Sequence, residues 1–413
     1  MQIKIIKKQD SQIAKLIDKE ERRQKETLDL IASENYPSMV VREALSSLFV
    51  AKYSEGRPYK RYYAGQEFID KLETLVEERA RKVFGLSAKN WAVNVQPYSG
   101  SPANYAILRG LLNKGDKILS LSLPHGGHLT HGSPVSLSGI DFKIVHYSLD
   151  KKTHLLNYKE IERIAKKEKP KLIICGFTAY PRKIDFKKFG QISKKIGAYL
   201  LADVSHIAGL IVGKVHPSPF PWADVVMTTT HKTLRGPRGA MIICREELGE
   251  KIFPKVFPGL QGGPHNHTIA AIGVALKEAM TPQFKKYASQ IVKNAKALAE
   301  GLKKYNFKLI SGGTGNHLVL VDLTNKKISG KDAQILLEKA GIVLNKNTVP
   351  YDLRPPFDPS GIRLGTPALT TRGMEEKEMK KIAFWLNEVI SNPKSALKVK
   401  AEIKKFCQKF PIP

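Results

Sequence analysis

The feature that most constrains the fold of this 413-residue chain is a series of short apolar segments that alternate with amphipathic helical patterns. Seven such segments are predicted as strands: residues 91–95, 117–121, 142–147, 171–177, 199–203, 224–228 and 239–244. Helical patterns separate several of them, at residues 102–112, 158–168 and 186–196. This alternation indicates an α/β fold, in which helices cover both faces of a mostly parallel sheet. Ligands of such folds bind beyond the carboxyl ends of the strands.

Patterns on either side of this region predict an arm and a second domain. Apolar residues spaced as in an amphipathic helix run from Asp10 to about Leu30, so we expect an N-terminal helical arm over residues 1–54. The large domain is expected over residues 55–280, because Thr281-Pro282 interrupts a long helical pattern. Two strand-like runs, a helix capped by Ser329 and two terminal helices predict a smaller α/β domain over residues 281–413.

Composition excludes several classes of protein. With 42% hydrophobic and 26% charged residues, the chain has enough apolar mass for a buried core and is neither disordered nor collagen-like. It contains no apolar run of about 18 residues, so we expect no membrane span. The first residues lack the apolar region of a secretory signal. Cys175, Cys244 and Cys407 are an odd number at wide spacing, which favours reduced thiols in the cytoplasm.

The formal net charge of +30 raises the question of a nucleic-acid partner. Only 16 of the 68 basic residues are arginine, the side chain that most often reads phosphates and bases. The lysines are spread over the helical patterns. We therefore interpret the charge as a lysine-rich solvated surface and do not expect nucleic-acid binding, with a functional polyanion surface as the alternative.

Polar residues follow three of the predicted strands. Ser99-Gly100-Ser101 open a helical pattern and could present backbone N–H groups to a phosphate, although an ordinary capped turn has the same sequence. Asp203 ends an apolar strand, where a carboxylate can serve as a helix cap, a metal ligand or a charge partner. Lys232 follows a strand and three threonines; it is either a buried ion-pair partner or a desolvated nucleophile.

Taken together, these three elements are typical of one class of enzyme. Pyridoxal phosphate enzymes need a phosphate-binding turn, a lysine for the Schiff base, and an acid that keeps the pyridine nitrogen protonated. The carboxyl edge of one sheet would bring all three to one place. The sequence therefore predicts a pyridoxal phosphate site.

Longer motifs resemble one family of such enzymes, the serine hydroxymethyltransferases. The resemblance extends from about Asp29 to Arg372 and rests on motifs in the family's order and spacing: LIASEN at residues 30–35, KYSEG at 52–56, KRYY at 60–63, HGGHLTHGSP at 125–134, TTTHKT at 228–233, QGGP at 261–264 and SGIRLGTP at 360–367.

The resemblance implies a fold-type I enzyme: a large domain with a mostly parallel seven-stranded sheet, a smaller C-terminal α/β domain and an N-terminal helical arm. The implied reaction is the reversible conversion of serine and tetrahydrofolate to glycine and 5,10-methylenetetrahydrofolate, through an aldimine of pyridoxal phosphate and a quinonoid carbanion. Its metabolic place would be one-carbon metabolism and glycine biosynthesis. No metal is expected.

The resemblance also assigns residues to the cofactor. Lys232 would form the Schiff base and Asp203 would pair with the pyridinium. The other implied cofactor contacts are Ser99, Gly100 and Ser101 at the phosphate, His128 stacked on the ring, Thr178 and His206 near the phenolic oxygen, and Tyr53 and Gly263. Thr229 and His231 complete the implied catalytic set with Lys232, Asp203, His128 and Glu55.

Substrate and folate contacts follow in the same way. Arg363 would hold the substrate carboxylate, assisted by Ser33 and Tyr63, and Glu55 would be the acid/base at the substrate hydroxyl and folate. The pterin pocket would be lined by Leu123, Gly127, Leu129, Asn347, Pro355, Pro356 and Phe357. In this family Tyr53, Glu55 and Gly263 reach a neighbouring subunit's site, so a homodimer with shared active sites is expected, and a tetramer is possible.

Two other functions compete with this interpretation. A threonine aldolase without folate has the same cofactor chemistry but needs no pterin pocket. A basic nucleic-acid-binding protein with a vestigial cofactor site would not need Lys232, Asp203, Glu55 and Arg363 together. Single residues also have plainer interpretations: His131 and His265 are better explained as ordinary hydrogen-bonding residues than as residues with a direct role. Asp29, which departs from the family's commonest pattern, is predicted to lie in the helix before Ser33.

Overall fold

The computed structural model describes residues 4–413. Its strands are β1 (Leu28–Asp29), β2 (Gly56–Arg57), β3 (Lys60–Arg61), β4 (Trp91–Asn94), β5 (Lys117–Leu121), β6 (Lys143–Tyr147), β7 (Leu172–Cys175), β8 (Tyr199–Asp203), β9 (Val225–Thr229), β10 (Ala240–Arg245), β11 (Lys308–Leu309), β12 (Leu318–Asp322), β13 (Ile342–Val343), β14 (Asn345–Asn347) and β15 (Gly361–Gly365).

Helices of between 5 and 23 residues connect these strands. They are α1 (Lys4–Gln9), α2 (Ser11–Glu26), α3 (Met39–Leu45), α4 (Glu67–Phe84), α5 (Gly100–Leu111), α6 (Leu137–Asp141), α7 (Tyr158–Glu168), α8 (Phe186–Ile196), α9 (Ala208–Val212), α10 (Gly249–Val256), α11 (Asn266–Ala279), α12 (Pro282–Lys304), α13 (Gly330–Lys339), α14 (Pro367–Thr371), α15 (Glu376–Ser391) and α16 (Ala396–Cys407).

The seven predicted strands form one seven-stranded sheet in the order β4-β10-β9-β8-β7-β5-β6. Strands β5 to β9 pair in parallel, and β10 runs antiparallel between β4 and β9. Most residues of these strands are buried, because helices cover both faces, and this explains why the strands have continuous apolar sequences rather than alternating ones. The predicted α/β fold with a mostly parallel seven-stranded sheet is confirmed.

The carboxyl ends of four of these strands deliver the predicted polar residues to one edge. Chain segments leaving β4 and β8 lead to Ser99 and Asp203, while β7 and β9 lead to Thr178 and Lys232. These are neighbouring or near-neighbouring strands of the sheet. Residues separated by more than a hundred positions in the chain therefore meet at this edge.

A second sheet lies in the C-terminal part of the chain, in the order β11-β12-β15-β14. Helices α13, α15 and α16 supply its separate apolar core, which includes Trp385 and Ile403. The long helix α12 contributes Ile291 to the core of the large sheet and Leu298 to the second core, so it joins the two. The proposed domain limits at residues 54 and 280 stay a prediction.

The segment before Ser33 differs from the prediction. Helix α2 ends at Glu26, and Asp29 lies in β1, which pairs in parallel with β13. The backbone N–H groups of Leu28 and Leu30 donate to the carbonyls of Gly341 and Val343, 2.9 and 2.7 Å away. The prediction that Asp29 lies in a helix was wrong because the strand partner lies more than 300 residues away, where local periodicity gives no signal.

Two further findings concern the chain as a whole. Within residues 4–413, no helix combines the length and the apolar character needed to cross a membrane. Cys175, Cys244 and Cys407 are buried free thiols.

Candidate active site

A cavity of 170 Å³ lies at the carboxyl edge of the large sheet. Ten of the residues predicted to bind or act on a cofactor line it: Ser99, Gly100, Ser101, His128, Thr178, Asp203, His206, Thr229, His231 and Lys232. His231 lies both here and in an adjoining cavity of 620 Å³, which Ser33 also lines. The strand-end residues therefore converge on one site.

The lysine in this cavity has the environment of a nucleophile. Lys232 Nζ donates a hydrogen bond at 2.8 Å to Oγ1 of Thr229, three residues earlier in the chain. Desolvation lowers the pKa of Lys232 from 10.5 to about 8, and the charges of Arg363 and Arg238 add to this against the opposing effect of Asp203. No carboxylate contacts Nζ directly within residues 4–413. The alternative of a buried ion-pair partner is therefore disfavoured.

A hydrogen-bond network holds the carboxylate at the end of β8. Asp203 Oδ2 accepts from Asn104 Nδ2 and bonds to His131 Nε2, both at 2.9 Å, and Oδ1 accepts from the backbone N–H of Ser205 at 3.1 Å. Burial acts to raise the pKa of Asp203, but the hydrogen bond and charge of His131 outweigh it and hold this pKa well below its ordinary value. Asp203 is therefore an ionised acceptor within the cavity.

The N-terminus of helix α5 forms another part of the cavity wall. Ser99 is the N-cap residue, yet its side chain makes no capping hydrogen bond, so its hydroxyl and the first backbone N–H groups are available to a ligand. Gly100 is required here, since a Cβ at this position would lie 2.8 Å from Thr229 Cγ2. A 12-residue helix with a free N-terminus suits a phosphate group.

Three histidines of the site, His128, His206 and His231, are uncharged at neutral pH. Desolvation lowers the pKa of His128 to about 4 and that of His231 to about 3, and it also lowers the pKa of His206 well below its ordinary value. His206 Nδ1 bonds to Nε2 of the fully buried His317 at 3.1 Å, and His317 Nδ1 has no partner within residues 4–413. His206 is thus oriented by His317, which directly precedes strand β12 of the second sheet and which sequence reasoning did not identify.

Arg363 brings a positive charge from β15 to the same region. Its Nη1 donates to the backbone carbonyl of Thr178 at 2.7 Å, and its Nε donates to Asn345 Oδ1 at 3.0 Å. Desolvation lowers the pKa of Arg363 to about 10, so it stays protonated at neutral pH. The Thr178 hydroxyl donates to the carbonyl of Gly127 at 3.0 Å. Arg363 therefore links β15 of the second sheet to the segment after β7, and Thr178 links that segment to the loop that carries Gly127.

Four predicted residues lie together outside the lining of this cavity: Tyr53, Glu55, Tyr63 and Gly263. The Tyr53 and Tyr63 rings meet edge to face, with centroids 5.4 Å apart, and a Cβ on Gly263 would lie 3.1 Å from the Tyr53 ring. The charge of Glu55 raises the pKa of Tyr63, which places the carboxylate in the same group. We call these four residues the aromatic–acid cluster.

Buried ion pairs fix the backbone that carries this cluster. Arg61 bonds to Asp70 at 2.8 Å and to Glu73 at 2.7 Å, and its Nη1 donates to the carbonyl of Gly56 at 2.8 Å. Arg57 pairs with Glu73 and Glu77. The β2–β3 hairpin is therefore tied to helix α4, and Glu55 is held at its base.

The residues predicted to line a pterin pocket lie on two loops. Leu123, Gly127 and Leu129 belong to short turns after β5, and both leucines expose about half of their surface. Asn347 ends β14, and Pro355, Pro356 and Phe357 lie in the exposed loop that follows. Thr348 Oγ1 lies 3.4 Å from the carbonyl of Pro124, so the two loops touch.

Sequence reasoning assigned no role to several residues that line the cavity. Asn104, Ser205 and Arg238 are among them, and His131 had been given a plainer alternative. Asn104 lies one helical turn after Gly100 and so shares its face, which was the available signal. His131 was detectable only as part of a motif, since its contact with Asp203 spans 72 positions.

Comparisons with known proteins identify the family. The family model described as serine hydroxymethyltransferase matches residues 6–386. A protein named serine hydroxymethyltransferase from Desulfotalea psychrophila is 53% identical over 411 residues, which cover 99% of this chain and 96% of that protein.

The chain belongs to the serine hydroxymethyltransferase family.

Membership confirms several predictions at once. Serine hydroxymethyltransferases are fold-type I, pyridoxal-phosphate-dependent transferases, so the resemblance, the fold type, the enzyme class and the hydroxymethyltransferase function are all confirmed. The residues at the sheet edge also fit the cofactor chemically: a free helix N-terminus at Ser99, an ionised carboxylate at Asp203 and a desolvated amine at Lys232 meet in one cavity. Individual residue roles are taken up below as proposals.

Proposed function

We propose that this enzyme interconverts serine and tetrahydrofolate with glycine and 5,10-methylenetetrahydrofolate, with pyridoxal phosphate as its cofactor. The observation that carries the proposal is the meeting of Lys232, Asp203 and the N-terminus of α5 in one cavity of a serine hydroxymethyltransferase family member. Pyridoxal phosphate, when bound, supplies the electron sink that allows the Cα–Cβ bond of serine to break.

Three groups of the chain would hold the cofactor. Lys232, whose pKa is about 8, presents a substantial fraction of neutral amine near neutral pH and can form the covalent bond. Asp203 remains ionised and can keep a proton on the pyridine nitrogen, while Asn104 and His131 fix its carboxylate. The phosphate would take the N–H groups and hydroxyls of Ser99, Gly100 and Ser101.

The amino-acid substrate would be held by its carboxylate. The guanidinium of Arg363 is fixed through Nε and Nη1, and its Nη2 makes no hydrogen bond within residues 4–413. A fixed planar guanidinium binds a carboxylate with defined orientation. Ser33 lines the adjoining cavity, which shares His231 with the cavity around Lys232.

The aromatic–acid cluster supports a homodimer with shared sites. Glu55 and Tyr63, proposed for acid/base chemistry and substrate binding, lie outside the Lys232 cavity of their own chain, as expected if they serve a neighbouring copy. Exposed apolar side chains accompany this part of the chain: Met39, Val40, Leu48, Val50, Tyr62 and Phe68 each expose more than half of their surface. Exposed apolar residues in such number mark an interaction surface.

Shared sites can be tested by complementation. Lys232→Ala and Glu55→Gln chains should each be inactive alone, but mixed dimers should recover activity, because one of their two sites combines Glu55 with Lys232. Mixing after mild dissociation should restore up to about a quarter of the specific activity, from half the chains pairing as hybrids with one good site each. Absence of any recovery would refute shared sites.

The folate co-substrate would bind between the two loops described above. The exposed leucines at 123 and 129 and the ring of Phe357 offer apolar contacts of the kind a pterin ring needs. A threonine aldolase binds no folate and does not need these apolar side chains. We also propose a cytoplasmic location, which agrees with three buried free thiols.

Absorption spectroscopy tests the whole proposal. We expect a visible Schiff-base band from the purified protein with pyridoxal phosphate, and a much stronger band at longer wavelength only when glycine and tetrahydrofolate are both present. Lys232→Ala should lose the first band while remaining folded by circular dichroism. A first band without a folate response would favour the aldolase, and no band in folded protein would refute the Lys232 assignment.

A further inference from the structure

One backbone residue joins the two loops proposed to receive folate. The N–H of Leu149 donates to His125 Nδ1 at 3.0 Å, and the carbonyl of the same residue accepts from the Tyr351 hydroxyl at 2.6 Å. The two rings also meet each other edge to face, with centroids 4.5 Å apart at 71°. His125 lies on the loop that carries Leu123 and Leu129, whereas Tyr351 lies on the loop that carries Phe357.

The loop around Tyr351 is closed on itself by a neighbouring carboxylate. Asp352 accepts from the backbone N–H groups of Val349 at 3.2 Å and Ser360 at 2.9 Å, and from the Ser360 hydroxyl at 2.6 Å. The segment between Val349 and Ser360 is therefore an internally cross-linked unit. Its ends are fixed, because Val349 is buried against Leu320 and the carbonyl of Ser360 accepts from the N–H of Leu323 at 2.9 Å, so a further attachment is needed only for the residues between them.

Tyr351 provides that attachment from an unfavourable backbone conformation. Its φ of +61° lies in the left-handed region, which a residue with a large side chain rarely adopts. That conformation aims the ring away from its own loop, toward His125 and Leu149. Backbone strain of this kind persists where the surrounding contacts compensate for it.

Little else holds the outer part of this loop in place. Leu353 is fully exposed and Phe357 is 71% exposed, so no apolar core fixes them. Besides the bond of Tyr351, Lys346 Nζ donates to the carbonyl of Phe357 at 2.8 Å and Ser329 lies beside the Asp358 carboxylate. The end of the loop is held at Pro359, whose carbonyl accepts from the N–H of Gly330 at 2.7 Å. Phe357 lies between the attachment at Tyr351 and the one at Pro359, so its position depends in part on the Tyr351 hydroxyl.

His125 suits its part in the arrangement because it stays neutral. Desolvation lowers the pKa of His125 to about 4, so Nδ1 keeps the lone pair that accepts from Leu149 throughout the neutral pH range. The titratable groups nearby are His154, which lowers this pKa further, and Lys151, whose ammonium lies 6.0 Å from the Tyr351 ring. Neither group carries a negative charge, so neither raises the pKa of His125.

We propose that Tyr351 is a positioning residue for folate: its hydroxyl bonds the 349–360 loop to Leu149 and, with His125 on the other side of that residue, sets the separation of the two walls between which the pterin binds. The inference rests on the proposed function and names a residue that would act on folate binding without touching the cofactor or the amino acid.

The test compares a folate-dependent reaction with a folate-independent one in the holoenzyme. Tyr351→Phe removes only the hydroxyl. We expect the KM for tetrahydrofolate in serine cleavage to rise roughly three- to tenfold, the range that corresponds to loss of one net hydrogen bond. The rate of folate-independent cleavage of allo-threonine and the Schiff-base spectrum should stay unchanged, since both depend on Lys232 and Arg363.

A matched control and a second variant sharpen the result. Tyr158→Phe also removes a hydroxyl bonded to the backbone, there the N–H of Asp185 at 2.9 Å, but it lies on helix α7 outside both loops. It should leave both reactions unchanged. His125→Leu should reproduce the selective rise in KM, because it removes the hydrogen bond between the Leu149 N–H and His125 Nδ1. Hydrogen exchange in residues 349–360 should accelerate in Tyr351→Phe and not in the control.

Different failures have different meanings. An unchanged folate KM in Tyr351→Phe, or an equal loss in both reactions, would overturn the inference while leaving the proposed function intact. A parent enzyme that cleaves allo-threonine but shows no response to tetrahydrofolate would overturn the proposed function, and the inference with it.

Discussion

The reactivity of Lys232 can be predicted quantitatively from its surroundings. Desolvation holds its pKa at about 8, against 10.5 for a free lysine. At pH 8 about half of the amine is then neutral, whereas a lysine in water is neutral to about 0.3%, a roughly 150-fold difference in nucleophile. The difference corresponds to about 3 kcal/mol in favour of the neutral form. The rate of Schiff-base formation in cofactor-free protein should therefore follow a midpoint near pH 8.

Substitutions of Arg363 test in which direction a nearby charge moves the pKa of Lys232. Arg363 lowers the pKa of Lys232 by repulsion between like charges. Arg363→Gln should move the midpoint upward, whereas Arg363→Lys keeps the positive charge and should move it much less. The two variants remove the same guanidinium, so they differ chiefly in charge.

The assay is the growth of the Schiff-base absorbance after cofactor-free protein is mixed with pyridoxal phosphate between pH 6.5 and 10.5. A parallel series with Nα-acetyllysine corrects for ionisation of the cofactor itself. A midpoint near pH 10 in the parent protein would refute the argument from desolvation. Equal midpoints for Arg363→Gln and Arg363→Lys would refute the electrostatic part alone.

Three further predictions concern other parts of the site. Gly100→Ala should weaken cofactor binding roughly tenfold in a spectroscopic titration, because its Cβ would displace Thr229, the partner of Lys232. Neutron diffraction should find the shared deuteron on His317 Nε2 and not on His206 Nδ1, since the reverse would bury an unpaired N–H at His317 Nδ1. Leu48→Glu, at an apolar side chain that is 89% exposed, should shift the proposed dimer toward monomer in sedimentation, and an unchanged sedimentation coefficient would exclude Leu48 from the proposed interface.

Parts of the fold that depend on local pattern were predictable from the sequence. Strands β5 and β8 and helices α7 and α8 occupy the predicted residues, because continuous apolar runs and amphipathic spacing are both local signals. In the second sheet, the two predicted strand-like runs coincide with β11 and β12, whereas β14 and β15 were not predicted as strands. Strand β15 has only five residues, and its hydrogen-bonding partners β12 and β14 determine it.

The site was predictable to the extent that its residues end strands. Asp203 and Lys232 were found because polar residues directly after apolar runs are hard to explain by packing. His317 was not found, because it precedes a buried strand of the second sheet and nothing in its local sequence indicates that its ring reaches His206. Contacts between the two sheets depend on how the domains pack, which periodicity does not encode.

The charge balance of the cavity connects cofactor binding with the state of Lys232. Lys232, Arg363 and Arg238 bring three positive charges to the region, and both arginines lower the pKa of the lysine, while Asp203 alone opposes them. In this state the excess of positive charge favours the neutral, nucleophilic amine. It also favours an anion at the N-terminus of α5, where the helix dipole adds to the attraction. The same residues therefore attract a phosphate and keep Lys232 reactive toward the group that the phosphate carries.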